Sequence, residues 1–183
     1  MTKAIYFDKD VYYTEIQKLL LVPQNEEQLF KSIVNAPFHD TKNVTLLSLG
    51  IVVFLLVNKA TQVIDRVALS DTELAKGAVS MSVKPFSSIK IPLNYYENSI
   101  AESIRSGKVQ ITDDWKYLFI PALTPQEAHF NQAGAGIGCS AVYPLKARDG
   151  GALIFSYYLL PEDLTAEHHA FMKAYAKMVE RAL

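Results

Sequence analysis

One apolar run dominates this chain of 183 residues. Residues 46–57 have the sequence LLSLGIVVFLLV, with β-branched residues at the centre and an interior glycine. The run is too short for a membrane-spanning helix, which needs about 20 apolar residues, and its composition favours a strand. Because odd and even positions from Val44 to Val57 are both apolar, we predict a strand over 44–57 that is covered on both faces.

Further strands are expected where apolar runs are bounded by turn residues. The turn at Asn58–Ala60 leads into a more polar strand, which we expect near the sheet edge. An Asp-Gly pair within Arg148–Gly151 separates two apolar runs, as in a hairpin. The stretch 70–93 mixes Ser, Lys and Pro and is interpreted as irregular, with one short strand at 80–83. The other predicted strands are 61–69, 109–111, 138–147 and 152–160.

Several segments carry capping residues or apolar spacing typical of helices. The clearest is Thr124-Pro125-Gln126-Glu127, which combines a threonine cap, proline at the first helical position and a glutamate that closes a capping box. The last helix has apolar residues at helical spacing from Phe171 to Ala182. We predict helices from Asp10 to Leu21, from Asn25 to Pro37, from Asn98 or Ser99 to Gly107, from Thr124 to Gly134 and from Thr165 to the C-terminus.

The order of these elements is typical of an α+β fold. Hairpins lie beside clustered helices, and the apolar strand needs cover on both faces, so we expect a sheet between two helical layers. No repeat, low-complexity tract or linker interrupts the chain, which we therefore interpret as one domain, residues 1–183.

Charge and cysteine content argue against several functional classes. Eighteen basic residues against nineteen acidic ones leave no basic excess for a nucleic acid. One cysteine cannot form an internal disulfide or an all-thiolate metal site, and it fits a reducing compartment. Asp8 and Asp10 interrupt the N-terminus before the apolar segment of a signal peptide can build. We expect a cytoplasmic protein with no nucleic-acid partner and no membrane association.

Three segments resemble parts of a GAF domain. Ser99-Ile-Ala-Glu-Ser-Ile-Arg-Ser-Gly-Lys-Val-Gln-Ile-Thr-Asp113 is similar to the middle of that family, where a short helix, a glycine and a short strand lead into an Asp-bearing loop. Residues 139–145 (CSAVYPL) and 149–155 (DGGALIF) resemble its closing hairpin, and Leu164-Thr-Ala-Glu167 begins a helix similar to its terminal helix. The resemblance covers residues 25–183 and leaves 1–24 as an N-terminal helical extension.

The resemblance implies a GAF-like (PAS-like) α+β fold with a central antiparallel sheet of about six strands. Terminal helices then pack on one face and often dimerise, while short helices and loops roof a ligand cavity on the other. Domains of this family usually sense cyclic nucleotides, tetrapyrroles, haem or small metabolites and pass a change to an output domain. We therefore expect a homodimer through the terminal helices, or a separate output protein, as partner.

Specialised branches of the family fit this sequence poorly. Bilin-binding relatives commonly have His after the attaching Cys, whereas Ser140 follows Cys139, so a buried, inert thiol is expected. Relatives that reduce free methionine sulfoxide work through several cysteines, and one cannot form and resolve an internal disulfide. Asn58-Lys59 matches the start of a cyclic-nucleotide motif, but the Phe and Asp-Glu of that motif do not follow. We interpret the pair as a turn.

Two further motifs are interpreted as structural. Gly134-Ala-Gly136-Ile-Gly138 closes a helix and opens a strand, the reverse of a dinucleotide-binding loop, so it predicts a helix stop at the edge of the pocket. His168 and His169 are adjacent in a first helical turn and point apart, whereas helical zinc pairs are four residues apart. We expect both to be solvated and predict no metal site.

The candidate ligand-binding residues lie in segments that the family analogy places around the cavity. Alternatives remain for each: Asp113 caps a turn and Trp115 fills the core, the residues of the Thr124 helix are plain surface, and Arg66 pairs at a sheet edge. The candidates are Arg66, Asp113, Asp114, Trp115, His129, Asn131, Gln132 and Tyr143.

Three functional hypotheses follow. The first is a sensor domain that binds an unidentified small molecule under the roof formed by 113–115 and 127–132 and transmits through the terminal helices. The second is a ligand-free interaction or dimerisation module whose cavity is filled by aromatic residues such as Phe130 and Tyr143. An enzyme ranks last, because no nucleophile, base and orienting group are recognisable, and the sequence identifies no cofactor.

Overall fold

A six-stranded antiparallel sheet lies at the centre of the computed structural model, which describes residues 9–146 and 150–183 apart from the side chains at 42, 43 and 46. The strand order is β3-β2-β1-β6-β5-β4, so the apolar strand β1 is central. The strands are β1 (Leu49–Asn58), β2 (Val63–Leu69), β3 (Ile91–Pro92), β4 (Gln110–Thr112), β5 (Cys139–Leu145) and β6 (Gly151–Tyr157).

Eight α-helices in the described residues cover the two faces of this sheet. The helices predicted from Asn25 and Thr124 are capped by these residues. Of the two starts predicted for the helix at 98–107, Asn98 is the cap: its Oδ1 accepts from the N–H groups of Ile100 and Ala101 at 2.9 and 3.1 Å. The helices are α1 (Lys9–Leu21), α2 (Glu26–Asn35), α3 (Thr41–Leu47), α4 (Glu73–Met81), α5 (Ser99–Ser106), α6 (Lys116–Phe119), α7 (Pro125–Ala135) and α8 (Ala166–Ala182).

Strand β1 is buried on both faces, as predicted, but it begins later than the apolar run. Its side chains point alternately into two cores, with Phe54 in one and Leu55 in the other. The predicted start at Val44 is wrong because residues 44–47 continue helix α3, in which Val44 N–H donates to Asp40 O at 3.2 Å. Ser48 then takes a left-handed conformation (φ 50°) and separates helix from strand.

The first face of the sheet packs against α1, α2 and α8. Phe171 and Tyr175 of α8 contact Phe155 of β6, with ring centroids 5.9 and 6.0 Å apart. The expected solvated position is wrong for His168, which is buried here: its Nδ1 accepts from Thr165 N–H at 3.0 Å, and its Nε2 donates to Leu47 O at 3.1 Å. His169, one position on, is exposed.

The second face is covered by α4, α5, α6 and α7. Helix α4 contradicts the prediction of an irregular stretch with a strand at 80–83. Thr72 Oγ1 caps this helix by accepting from Ala75 N–H at 3.2 Å, and Leu74, Ala75 and Ala78 turn toward the second core. These three residues have the spacing of an amphipathic helix, but the many Ser, Lys and Pro residues in 70–93 favoured an irregular assignment.

The closing hairpin is present, with Leu145 of β5 paired to Gly151 of β6. Residues 148 and 149 of its predicted turn and the predicted strand end at 147 lie outside the described residues, as do residues 1–8 of the predicted extension. Gly136 ends α7 with φ 63°, which confirms the predicted helix stop. None of the described helices is long and apolar enough to cross a bilayer.

Candidate functional site

A cavity of about 50 Å³ lies between the second face of the sheet and its helical roof. Strands β1, β2 and β6 form the floor, and residues from α4, α6, α7 and the short 3-10 turn at Phe86–Ser88 form the walls. A space of this size holds a few water molecules or a ligand of a few non-hydrogen atoms. Most lining side chains are apolar. The polar exceptions are Arg66, Ser82, Trp115, Asn131 and Ser156.

A β-bulge in β2 brings two of its residues to the cavity wall. Leu55 of β1 pairs with Arg66 and Phe54 pairs with Ala68, so Val67 is an extra residue in β2. The inserted residue reverses the alternation of side chains along the strand. Arg66 and Leu69, three positions apart, therefore both line the cavity.

Arg66 is a buried cation with incomplete hydrogen bonding. Its side chain is only 7% exposed, its Nη2 donates to Leu118 O at 3.1 Å, and its guanidinium lies 4.5 Å from the Phe119 ring centroid. Nε has no hydrogen-bond partner, and no carboxylate among the described residues pairs with the group. Burial lowers the pKa of Arg66 to about 10, which leaves it charged at neutral pH.

Asn131 is the second lining residue with an unused polar atom. Ser82 Oγ donates to Lys84 O at 2.8 Å, so it accepts from Asn131 Nδ2 at 3.2 Å, and this fixes the orientation of the amide. Asn131 is 2% exposed and its Oδ1 has no partner among the described atoms. Buried amide oxygens are normally hydrogen-bonded, so Oδ1 is an unsatisfied acceptor on a residue that lines the cavity.

Trp115 closes another side of the cavity through a chain of hydrogen bonds. Its Nε1 donates to Ser140 Oγ at 2.9 Å, and that oxygen lies 2.7 Å from Ser156 Oγ. Gln132 Oε1 accepts from Trp115 N–H at 2.9 Å, which ties α7 to the start of α6. Trp115 thus both fills the core and lines the cavity, while Gln132 positions it.

Asp113, Asp114 and His129 lie outside the cavity lining. Asp114 accepts from His129 Nε2 and from the Lys116 N–H, both at 2.9 Å, and so satisfies an N–H group at the start of α6. Burial opposes ionisation of Asp114, but the hydrogen bonds from Lys116 and His129 outweigh it and lower the pKa of this carboxyl. Asp113 is exposed, and its carbonyl accepts from Gln132 Nε2 at 2.7 Å.

The aromatic residues expected to fill the cavity lie elsewhere. Tyr143 packs against the first face of the sheet, because it lies an even number of residues from Cys139 and Leu145 along β5 and its side chain therefore points to the same side. Phe130 is 54% exposed on α7. Cys139 is fully buried, as expected, and burial raises the pKa of its thiol to about 11.

The fold has well-matched relatives among solved structures, although the sequence matches no protein-family model and no curated protein. The GAF domain of an Acinetobacter phosphoenolpyruvate-protein phosphotransferase has a TM-score of 0.63 at 9% identity, over 97% of this chain and 93% of that chain. A protein described as a GAF sensor, from Burkholderia vietnamiensis, gives 0.62 at 14% identity, over 100% and 94%. The chain has a GAF-like fold.

The GAF-like fold is also found in an enzyme among the matched structures. A free methionine-R-sulfoxide reductase from Neisseria meningitidis, solved with its substrate, gives a TM-score of 0.58 at 13% identity over 98% of this chain and 92% of that chain. The fold alone therefore accommodates both sensors and enzymes. In the described part of this chain, no group of three or more His, Cys, Asp or Glu side chains is placed to hold a metal ion.

Sequence reasoning identified three of the polar lining residues, Arg66, Trp115 and Asn131, and missed two. Ser82 follows a helix that was not predicted, and Ser156 lies in an apolar strand where a serine gives no periodic signal. The alternation of side chains along β6 could have identified Ser156: its neighbours Phe155 and Tyr157 face the first core, so Ser156 must face the opposite side.

Proposed function

We propose that the chain is a sensor domain that binds a small molecule in the cavity between the sheet and its roof. The observation that carries the proposal is a pair of buried polar atoms without partners, Arg66 Nε and Asn131 Oδ1, on residues that line the same cavity. Leaving such atoms unpaired costs roughly 1–3 kcal/mol each, so a bound molecule that pairs them gains binding energy. The use of GAF-like domains in sensor proteins is consistent with this role.

The roof is suited to report whether the cavity is occupied. Helices α4 and α7 pack on each other, and the bond from Asn131 to Ser82 joins them beside the cavity. Lys84 also donates to Ala122 O and ties the segment after α4 to the loop before α7. A ligand that hydrogen-bonds to Asn131 favours the arrangement of α4 and α7 to which it binds more tightly. The difference in its affinity for the free and the bound arrangement sets how far the population shifts.

Native mass spectrometry of freshly purified protein, compared with its denatured mass, tests the proposal. We expect a discrete non-covalent mass, or an increase in melting temperature with members of a metabolite panel. Ala78→Leu extends a side chain into the cavity and should abolish binding. Ala133→Leu makes the same change at an exposed position of α7 and should leave binding intact. Binding that survives Ala78→Leu in a folded protein, or no binding to any panel member, contradicts the proposal.

We also propose that the sensor works as a homodimer through its terminal helices. Support comes from the end of α1, where Leu21 and the following Val22 are 78% and 74% exposed. Exposed apolar residues of this size are common at contacts between subunits. Light scattering on the intact chain should give twice the monomer mass, and Leu21→Glu should lower it. A monomer at all concentrations contradicts this part of the proposal.

A further inference from the structure

We propose that the ligand is a short aliphatic hydroxycarboxylate, with its carboxylate on Arg66 and its hydroxyl on Asn131. This inference rests on the proposed function and specifies the ligand of the same cavity. It follows from the charge, the hydrogen-bonding capacity and the volume of the site.

The charge of the cavity calls for an anion. Arg66 is the only charged residue among those that line it, and the described residues provide no carboxylate to neutralise it. A buried cation without a counter-ion is strongly disfavoured, so a ligand anion gains more here than at the surface. The guanidinium is also held in place by Phe119 at 4.5 Å and by its bond to Leu118 O, which keeps it oriented before binding.

The hydrogen-bonding groups distinguish two ends of the ligand. Arg66 Nε–H is a donor and requires an acceptor such as a carboxylate oxygen. Asn131 Oδ1 is an acceptor and requires a donor, which an ionised carboxylate lacks. A hydroxyl group elsewhere on the molecule supplies that donor.

The volume and the walls limit the rest of the molecule. About 50 Å³ admits only a few non-hydrogen atoms, which excludes nucleotides and tetrapyrroles from this arrangement of the cavity. Of the remaining lining residues, Ser82, Trp115 and Ser156 have their polar atoms hydrogen-bonded within the protein. The others are apolar, with Val53 and Ile154 on the floor and Ile89 on the roof side. A single Arg beside apolar walls suits a monoanion with a short carbon chain better than a multiply charged phosphate, which would lack donors for its other oxygens.

Isothermal titration of the intact chain with lactate, propionate, lactamide and inorganic phosphate tests the inference. Lactate should bind more tightly than propionate by about fivefold, because propionate leaves Asn131 Oδ1 unpaired. It should bind more tightly than the neutral lactamide by about tenfold or more, because the amide lacks the charge. Equal affinity for lactate and lactamide, or tightest binding of phosphate, overturns the inference.

Two variants link the affinity to these side chains. Arg66→Gln should weaken lactate binding by about tenfold or more, whereas Arg181→Gln, at an exposed position of α8, should not change it. Asn131→Asp keeps the shape of the side chain but adds a negative charge, so it should weaken the binding of anionic lactate by a larger factor than that of neutral lactamide. This second variant keeps the test decisive if Arg66→Gln does not fold.

The outcomes also separate this inference from the proposed function. If none of the four probes binds, but native mass spectrometry finds another molecule that Ala78→Leu displaces, the sensor proposal stands and the ligand class is wrong. If no molecule is found by either method, both fail. Unchanged lactate affinity in folded Arg66→Gln places the ligand elsewhere and overturns the assignment to this cavity.

Discussion

The two faces of the sheet belong to the same strands but differ in how tightly the helices and side chains above them are packed. The first face is filled by aromatic rings, with Phe171 of α8 stacked on Tyr175 at 5.8 Å and both against Phe155. The second face is covered by shorter helices and keeps a cavity of about 50 Å³ above β1 and β2. The open volume on the first side, about 200 Å³, lies between α1 and α8 and is lined only by residues of these two helices, such as Leu20 and Met178, whereas the cavity of the second face lies directly on the strands.

The buried polar groups differ in the same way. On the first face Tyr12 Oη donates to Pro37 O at 2.7 Å and Tyr175 Oη donates to Ile33 O at 2.5 Å, although Tyr157 Oη has no partner among the described atoms. On the second face the unpartnered atoms belong to Arg66 and Asn131, beside an open volume. An unpaired atom in a close-packed core only reduces stability, but one beside a cavity can be paired by a ligand.

The largest effect is expected from a ring removed on the close-packed face. Phe171→Ala should lower the free energy of unfolding by about 3–4 kcal/mol, because it leaves a cavity among rings that cannot collapse into it. Phe119→Ala, on the face that already contains a cavity and at a residue that is 8% exposed, should cost less, about 3 kcal/mol, the lower end of the range for this change. Urea unfolding of both variants measures the difference, and an equal or larger loss for Phe119→Ala would contradict the contrast between the faces.

The close-packed face should also make the protein sensitive to alkaline pH. Burial raises the pKa of Cys139 to about 11, so the folded protein keeps this proton after the unfolded chain, with a thiol pKa of about 8.5, has lost it. The stabilisation is complete below that lower value and is lost as pH rises through the folded-state value, by about 3 kcal/mol in all.

Urea unfolding of the wild type and of Cys139→Ala at pH 8 and pH 10.5 isolates this effect. The tyrosines of the same core titrate in both proteins, so the difference between the two pH slopes belongs to the thiol. We expect the variant to lose less stability over this range. Parallel slopes in the two proteins would show that Cys139 is more hydrated than its full burial indicates.

Local signals explain which parts of the fold could be predicted from the sequence. The caps at Asn98 and Thr124 act within one helical turn, and both helices begin where these residues indicate. The boundary between α3 and β1 depends instead on the backbone of Ser48, whose left-handed conformation no apolar pattern encodes. Helix α4 was missed because the irregular composition of 70–93 outweighed its cap at Thr72.

The site is harder to predict because it depends on which face each strand presents. Arg66 reaches the cavity together with Leu69 only through the bulge at Val67, and a bulge leaves no signal in the sequence here. Tyr143 was assigned to the cavity although its parity with Cys139 places it on the first face. The surface pair of His129 and Asp114 joins α7 to the loop before α6, and no helix or strand spacing predicts a contact between residues 15 positions apart.

Removing the unpaired cation should affect stability and binding in opposite directions. Arg66→Met replaces a buried charge without a counter-ion by an apolar side chain of similar length, so we expect the free energy of unfolding to rise by about 1 kcal/mol. Lactate binding should be lost in the same variant. Urea unfolding and calorimetry measure the two effects, and Arg181→Met is the matched control. A large destabilisation by Arg66→Met would instead assign Arg66 a structural role.

The smallest effect is expected from the polar pair on the outside of the roof. His129 is exposed and its bond to Asp114 is open to solvent, so His129→Ala should lower the free energy of unfolding by only about 0.5 kcal/mol. Because the pKa of Asp114 is lowered in the folded protein, the ionised carboxylate stabilises the fold at pH values above the ordinary pKa of an Asp. This contribution is lost as the pH falls through the lowered pKa. Lactate affinity should not change. A large loss of affinity in His129→Ala would show that the ligand reaches the outer surface of α7, and would contradict the assignment of binding to the cavity on the second face.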